Sequence, residues 1–174
     1  MPRLDVTVQI ASRTETATAV ARGDLDLALI EGLAAPNDSL TPFPPLAAIG
    51  IAESGIAVVL PPGHPLATRE SLRLSDLADA RWIGAPEVAP PLDEVRRHAG
   101  VDGFRPAFHY TGTDTQSLVA LATAGHGLTL LPTKALPPAV TAVAVTTPRL
   151  VHRVELLHGT LRKGSPAAVL ASFL

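Results

Sequence analysis

Residues 114–132 read DTQSLVALATAGHGLTLLP, a stretch in which a helix pattern passes directly into a strand pattern. Leu118 and Ala122 lie one helical turn apart and begin an apolar stripe. Gly125 predicts the end of the helix, because glycine readily takes the left-handed conformation that closes helices. The apolar run Leu128–Leu131 then predicts a strand that stops at a proline. A helix that leads straight into an apolar strand is typical of α/β folds.

The N-terminal part of the chain repeats this alternation. Leu4–Ile10 alternates apolar and polar residues and predicts a strand. The sequence Ser-Arg-Thr-Glu at 12–15 matches a capping box, in which each side chain satisfies a free N–H of the helix start. The helix should end at Gly23, and Asp24–Ile30 should form the next strand.

The remaining segments extend the same pattern. We predict a loop at Pro36–Pro45, a short helix capped by Ser75, a helix at Pro90–Ala99 and a final helix capped by Ser165. The further predicted strands are Ala48–Glu53, Gly55–Leu60, Arg81–Gly84, Arg105–Tyr110, Val140–Val145 and Val151–Leu161. The sequence thus predicts an α/β fold with mainly parallel strands.

The amino-acid composition excludes several classes of protein and of functional site. Of 174 residues, 47% are hydrophobic, which is enough for a packed core and excludes general disorder. Fourteen Lys and Arg residues against 16 Asp and Glu residues leave no basic excess for DNA phosphates. The absence of cysteine excludes disulfides and cysteine-type zinc sites. With no secretory signal or membrane-length apolar run, we expect a cytoplasmic protein that does not enter a membrane.

Motifs for catalysis are missing from the sequence. It contains neither a Gly-x-Ser-x-Gly elbow nor a phosphate loop ending in Gly-Lys. Its six histidines show no His-x-x-x-His spacing for a metal. We therefore expect no enzyme activity, no cofactor and no metal site.

Three local patterns together resemble one protein family. They are ARGDLDLAL at residues 21–29, VVLPPGHPLA at 58–67 with Trp82-Ile83 beyond it, and the stretch at 114–132. In this order and at these spacings, they resemble the effector-binding domain of LysR-type bacterial transcription regulators. The resemblance covers nearly the whole chain.

The resemblance implies a two-lobe periplasmic-binding-protein-like fold of type 2, with a small organic effector in the cleft between the lobes. The first lobe would take residues 1–53 and 148–174, and the second would take 54–147. Each lobe would have its own sheet, with Val58–Leu60 and Leu128–Leu131 in one sheet and Val6–Ile10 and Leu27–Ile30 in the other. The crossovers between lobes would lie near Glu53–Gly55 and Ala144–Thr147.

The resemblance also implies elements that should precede Met1. These are the DNA-binding winged helix-turn-helix and the first strand and helix of the effector domain, so we expect an incomplete first lobe. DNA would be a partner only through that absent helix-turn-helix. Unpaired edges along Val6–Ile10 and the family's dimerisation through this lobe together predict a homo-oligomer.

Turns at the carboxyl ends of strands are where open α/β sheets bind ligands. By this rule and the resemblance, the predicted effector-binding residues are Ser12, Arg13, Thr14, Glu31, Gly32, Trp82, Ile83, Gly84, Thr113, Asp114 and Thr115. Each turn also has a purely structural alternative. Ser12 and Asp114 would then only cap helices, Glu31 would be a solvated carboxylate, and Trp82 would be a core residue.

Two functions remain open from the sequence. One is the ligand-sensing module of a transcription regulator, which the family resemblance favours. The other is a solute-binding protein of a transport system, which shares the two-lobe architecture but needs a secretory signal or a lipid anchor.

Overall fold

The computed structural model of the chain describes residues 5–40 and 45–173, in which helices and strands alternate. The α-helices are α1 (Arg13–Arg22), α2 (Leu92–Ala99), α3 (Thr115–Thr123) and α4 (Pro166–Ala171). The strands are β1 (Leu27–Ala34), β2 (Ala47–Val59), β3 (Leu72–Arg73), β4 (Trp82–Gly84), β5 (Pro106–His109), β6 (Thr129–Pro132), β7 (Ala142–Thr147) and β8 (Val151–His158). Short 3-10 turns lie at Pro65–Thr68, Leu74–Leu77 and Thr133–Ala135.

The chain divides into two compact units. The first contains Met1–Gly32, Asp38–Glu53 and Arg153–Leu174, and the second contains Leu33–Asn37 and Ser54–His152. The boundary passes through β1 after Gly32, through β2 after Glu53 and through β8 before Arg153.

The strand order differs from the prediction in two respects. Val58 pairs with Leu130, so these two segments lie in one sheet, as predicted. However, one hydrogen-bonded series of strands runs β1-β8-β2-β7-β3, with β6 also on β2, where two separate sheets were predicted. The reason is that β2 and β8 continue across the boundary between the units. Pairing is also mixed, since β2 is antiparallel to β6 and β7, whereas β3–β7 and β4–β5 are parallel.

The predicted N-terminal strand is wrong where the structure describes it. Leu4 lies outside the described residues, and 5–12 form no strand. Val6, Val8 and Ile10 are 58%, 81% and 100% exposed. Alternation produces a strand only where a neighbour accepts the backbone hydrogen bonds and covers the apolar face, and no described strand pairs with this segment.

Two strand boundaries also differ from the prediction. β1 starts at Leu27 rather than Asp24, because the N–H groups of Asp24 and Leu25 both donate to the Ala19 carbonyl at the end of α1. The predicted break at Ser54-Gly55 does not occur, and β2 is continuous. A glycine adopts the extended conformation as easily as a turn, so the residues around it determine whether the strand continues through it.

The helix starts mostly follow their local signals. Ser12 and Glu15 form the predicted capping box, and Ser165 caps α4. Gly23 ends α1 in the left-handed conformation, at φ 80°. Ser75 is an exception, because its 3-10 turn starts one residue earlier, at Leu74, with no side-chain cap.

The core of the second unit lies on both faces of its strands. Val58 and Leu130 belong to a cluster around Trp82, whereas Val59 and Leu131 belong to a cluster under α3. The split follows from the strand period of two, which sends successive side chains to opposite faces. β2 and β6 are therefore packed on both sides.

An ion-pair network stabilises the first unit. The Arg153 Nε–H donates to Glu155 at 2.7 Å, and the same guanidinium pairs with Glu53. Glu155 is 1% exposed and also accepts from the Leu40 N–H at 3.2 Å and the Ser39 hydroxyl at 3.1 Å. The hydrogen bond that Arg153 donates to Glu155 is the main reason that the pKa of Arg153 is raised, so the guanidinium stays charged.

Thr129 places an unsatisfied hydroxyl in the core of the second unit. It is 1% exposed, lies opposite Val59, and its Oγ1 has no hydrogen-bond partner among the described residues. We expect Thr129→Val to raise the free energy of unfolding by about 1 kcal/mol, because it removes a desolvated polar atom without changing the shape. Urea denaturation measures this difference.

The control for this prediction is Thr129→Ser, which keeps the hydroxyl and removes the methyl group. It should lower stability by about 1 kcal/mol through lost apolar contact. If Thr129→Val were the more damaging of the two changes, the hydroxyl would be bonded in solution.

Candidate functional site

Two strands of the second unit end side by side. β4 and β5 are parallel, with Gly84 beside His109. The Tyr110 N–H then donates to the Gly84 carbonyl at 2.8 Å. Because the strands run in the same direction, the turns that follow them lie at one edge, which is where such sheets bind ligands.

Tyr110 joins the two predicted turns of this unit. Its N–H bonds Gly84 at the end of β4, and its hydroxyl donates to the Asp114 carbonyl at 3.0 Å, at the start of α3. The ring lies across Gly112, where a Cβ would be only 2.2 Å from the Tyr110 hydroxyl oxygen. Gly112 is therefore needed for this arrangement. We call Gly84, Tyr110, Gly112 and Asp114 the α3 junction.

Asp114 caps α3, as its structural alternative predicted. Its carboxylate accepts from the Gln116 N–H at 3.3 Å, and from the N–H and hydroxyl of Ser117 at 2.8 and 2.7 Å. The bonds with Ser117 lower the pKa of Asp114 below its ordinary value of 3.8. An exposed and ionised carboxylate thus stands at the helix start, between an exposed Thr113 and a half-buried Thr115.

The predicted turn at Trp82, Ile83 and Gly84 is divided between core and surface. Trp82 is 0% exposed, its indole N–H donates to the Leu77 carbonyl at 2.9 Å, and its ring packs 5.4 Å from that of Phe104. Ile83 is 1% exposed and packs under α3. Only Gly84 is half-buried. The structure thus places both large side chains of this turn in the core.

Two residues at this edge were missed by the sequence reasoning. One is Tyr110, and the other is the exposed His109, whose Nδ1 lies 3.4 Å from where a Gly84 Cβ would be. Both stand at the end of the strand that was predicted at Arg105–Tyr110. The rule about carboxyl ends of strands, applied to this strand as well, would have included them.

In the first unit, the Ser12 side chain forms hydrogen bonds with the first turn of its own helix. The Glu15 N–H donates to the Ser12 hydroxyl oxygen at 3.3 Å, and that hydroxyl donates to the Glu15 carboxylate at 2.6 Å. The hydroxyl is the main cause of a lowered pKa for Glu15. Arg13 is half-buried and Thr14 is exposed at the same turn.

Glu31 and Gly32 do not lie at a strand end. The strand was predicted to stop at Ile30, but β1 continues to Ala34. Apolar Leu33 and Ala34 are buried and extend the strand. Glu31 is exposed within β1, and Gly32 is half-buried.

Neither a metal-binding cluster nor a membrane-spanning helix occurs among the described residues. Across 5–40 and 45–173, no three His, Asp or Glu side chains come together as a metal site would require. No helix in these ranges is both long and apolar enough to cross a membrane.

Comparison with known proteins connects this geometry to a family. The family model described as the LysR substrate binding domain matches residues 1–171. The HTH-type transcriptional regulator CysL of Bacillus subtilis is 26% identical over 159 residues, which are 90% of this chain and 47% of that protein. The chain therefore spans about half the length of this curated relative.

Solved structures agree with the family match. The C-terminal domain of a probable LysR family transcriptional regulator from Rhodococcus sp. RHA1 is similar at a TM-score of 0.66 and 24% identity, over 94% of this chain and 80% of that one. The BenM effector binding domain with its effector benzoate is similar at a TM-score of 0.61 and 17% identity, over 91% and 71%.

These likenesses confirm the predicted fold class, the two-lobe periplasmic-binding-protein-like α/β fold of LysR effector-binding domains. The family model covers nearly every residue, and the candidate site lies at strand ends of this fold. The chain belongs to the LysR substrate-binding domain family.

Proposed function

We propose that this chain is the small-molecule sensing domain of a LysR-type transcription regulator. The observation that supports this most directly is the α3 junction, where parallel β4 and β5 end beside a helix start in a member of the LysR substrate-binding family. Strand ends next to helix starts bring polar backbone groups to one place, as ligand sites of such folds require.

The proposed effector contacts in the second unit are Gly84, Tyr110 and Thr113–Thr115. Trp82 and Ile83 would act from beneath, by holding the end of β4 in place. In the first unit, we keep Ser12–Thr14 and Glu31-Gly32 as proposed contacts. At these positions the side chains of Thr14 and Glu31 are exposed.

The effector is proposed to be a small organic molecule, as benzoate is for the similar BenM domain. Control of transcription would require a DNA-binding domain outside this chain, and a cytoplasmic location would bring the regulator to its DNA. We also propose that the regulator acts as a homo-oligomer. Family membership favours this function over the solute-binding protein of a transport system.

The experiment is a screen of small metabolites by thermal shift, followed by titration of the stabilising compound. We expect Thr113→Ala to lower the affinity for this compound by about fivefold to tenfold, which corresponds to the loss of one hydrogen bond. Ser12→Ala should weaken it by a similar factor.

Thr146→Ala is the matched control, because Thr146 is an exposed threonine of β7. It should leave the affinity unchanged. Equal affinities in wild type, Thr113→Ala and Ser12→Ala would reject the proposed site.

A further inference from the structure

One buried carboxylate in the first unit accepts hydrogen bonds from two distant parts of the chain. The Leu40 N–H and the Arg153 Nε–H both donate to Oε1 of Glu155, at 3.2 and 2.7 Å. The Ser39 hydroxyl donates to Oε2 of the same side chain at 3.1 Å. The Arg153 guanidinium also pairs with Glu53 in β2, so it extends the network to a third part of the chain. We call these five residues the Glu155 network.

The members of the Glu155 network stand where the chain passes from one unit to the other. The chain enters the first unit directly before Ser39 and Leu40. Glu53 is the last residue of this unit in β2, and Arg153 is its first residue in β8. Three crossings between the units are therefore connected through one side chain, although 115 residues separate Leu40 from Glu155.

The shared oxygen makes these contacts depend on one another. Because Leu40 and Arg153 donate to the same Oε1, the carboxylate cannot turn toward one donor without changing its bond to the other. Burial strengthens this dependence, since Glu155 is 1% exposed and water cannot replace a donor that moves away. A buried carboxylate that loses one donor is costly, so its remaining partners must rearrange with it.

Gly50 leaves the room that the guanidinium occupies beside β2. A Cβ at this position would lie 2.6 Å from Nη2 of Arg153 and 3.2 Å from its Cζ. An alanine would therefore push the guanidinium away from its carboxylate partners without removing any member of the Glu155 network. Gly50→Ala thus disturbs the network from β2 and leaves Glu155 and Leu40 unchanged in sequence.

We propose that Glu155 is a positioning residue that couples the three crossings, so that the chain at Leu40, Glu53 and Arg153 loosens or tightens as one conformational element. A change at one crossing is then passed to the other two through the shared carboxylate. This inference goes beyond the sensing function and does not depend on the identity of the effector.

The first test disturbs the network in β2 and measures the effect at Leu40. Native-state hydrogen exchange followed by NMR reports the opening of the Leu40 N–H, with the Val20 N–H of α1 as a reference in the same unit. We expect Gly50→Ala to speed exchange at Leu40 by at least about fivefold, which corresponds to one weakened hydrogen bond, and to leave Val20 near its wild-type rate. Gly159→Ala is the matched control and should behave as wild type, because a Cβ at Gly159 would meet no neighbouring atom within 4 Å.

The second test follows the coupling in the opposite direction. Ser39→Ala removes one donor to Glu155, and we expect the Arg153 Nε–H to exchange about twofold to fivefold faster, up to the effect of one hydrogen bond. Ser172→Ala is the control in the same unit, because the exposed Ser172 hydroxyl donates to the Val169 carbonyl at 2.7 Å. This control also loses one hydrogen bond, but outside the Glu155 network, and it should leave the Arg153 signal unchanged.

Arg153→Lys replaces Gly50→Ala if that variant does not fold, because lysine keeps the charge but lacks the planar fork that reaches two carboxylates. The same rise at Leu40 is expected. An unchanged Leu40 rate in a folded variant would overturn the proposal, and so would an unchanged Arg153 signal in Ser39→Ala. An equal rise at Leu40 and Val20 would also contradict it, since the whole unit would then be destabilised rather than the crossings.

Discussion

Replacing Arg153 by methionine should lower the free energy of unfolding by about 3 kcal/mol, because it leaves a buried carboxylate without its cation. Glu155 is 1% exposed, and among the described residues its carboxylate would keep the Ser39 hydroxyl and the Leu40 N–H as hydrogen-bond donors. Urea denaturation gives the free energy. Hydrogen exchange should locate the loss in β2 and β8, which carry the paired residues.

A second change separates the charge from the packing. The double variant Arg153→Met with Glu155→Leu should recover most of the lost stability, since apolar residues of similar volume often replace a buried ion pair without cost. Arg162→Met, at an exposed arginine of the same unit, should change stability by less than about 0.5 kcal/mol. If the double variant were no more stable than Arg153→Met, the unpaired charge would not be the cause.

Trp82→Ala should lower the free energy of unfolding by about 3 to 5 kcal/mol, the usual effect of deleting a large aromatic core residue. The indole is fully buried, packs against Phe104 and donates to the Leu77 carbonyl. Trp82→Phe keeps a ring but leaves that carbonyl without its donor, and should cost about 1 to 3 kcal/mol. Chemical denaturation followed by circular dichroism measures both, since the variants lose the single tryptophan.

The effector affinity of the Trp82 variants shows whether Trp82 acts only through stability. If Trp82 acts only from the core, Trp82→Phe should keep the effector affinity that Thr113→Ala reduces. Phe108→Ala is the surface control, because Phe108 is 36% exposed. It should lower the free energy of unfolding by much less than Trp82→Ala does. A Trp82→Phe variant of wild-type stability with strongly reduced affinity would make Trp82 a direct contact.

Parts of the candidate site could be predicted from the rule about strand ends. Parts that depend on how distant segments pack could not. The rule about strand ends predicted contacts at Gly84 and Thr113–Thr115, and the structure joins Gly84 to Asp114 through Tyr110. The same rule failed at Glu31, because β1 runs past the predicted end. No sequence pattern states that the Tyr110 ring lies across Gly112, since that contact depends on how the segment after β5 folds back.

The sequence by itself determined the α-helices and most of their ends. Ser12, Asp114 and Ser165 cap the helices they precede, and Gly23 and Gly100 close α1 and α2 in the left-handed conformation. Such signals act between residues that are at most a few positions apart, so they hold in almost any tertiary context. The alternation of helix and strand patterns also predicted an α/β fold, and the resemblance carried by three ordered motifs implied its two-lobe form.

Only the tertiary structure decided the strands and the burial of the site residues. The alternating segment at 5–10 forms no strand because no described strand pairs with it, whereas β2 continues through Ser54-Gly55 because β6 and β7 pair with its second half. Trp82 belongs to the core because Leu77 and Phe104 meet it there. Strand pairing and side-chain burial depend on partners distant in the chain, which local patterns do not specify.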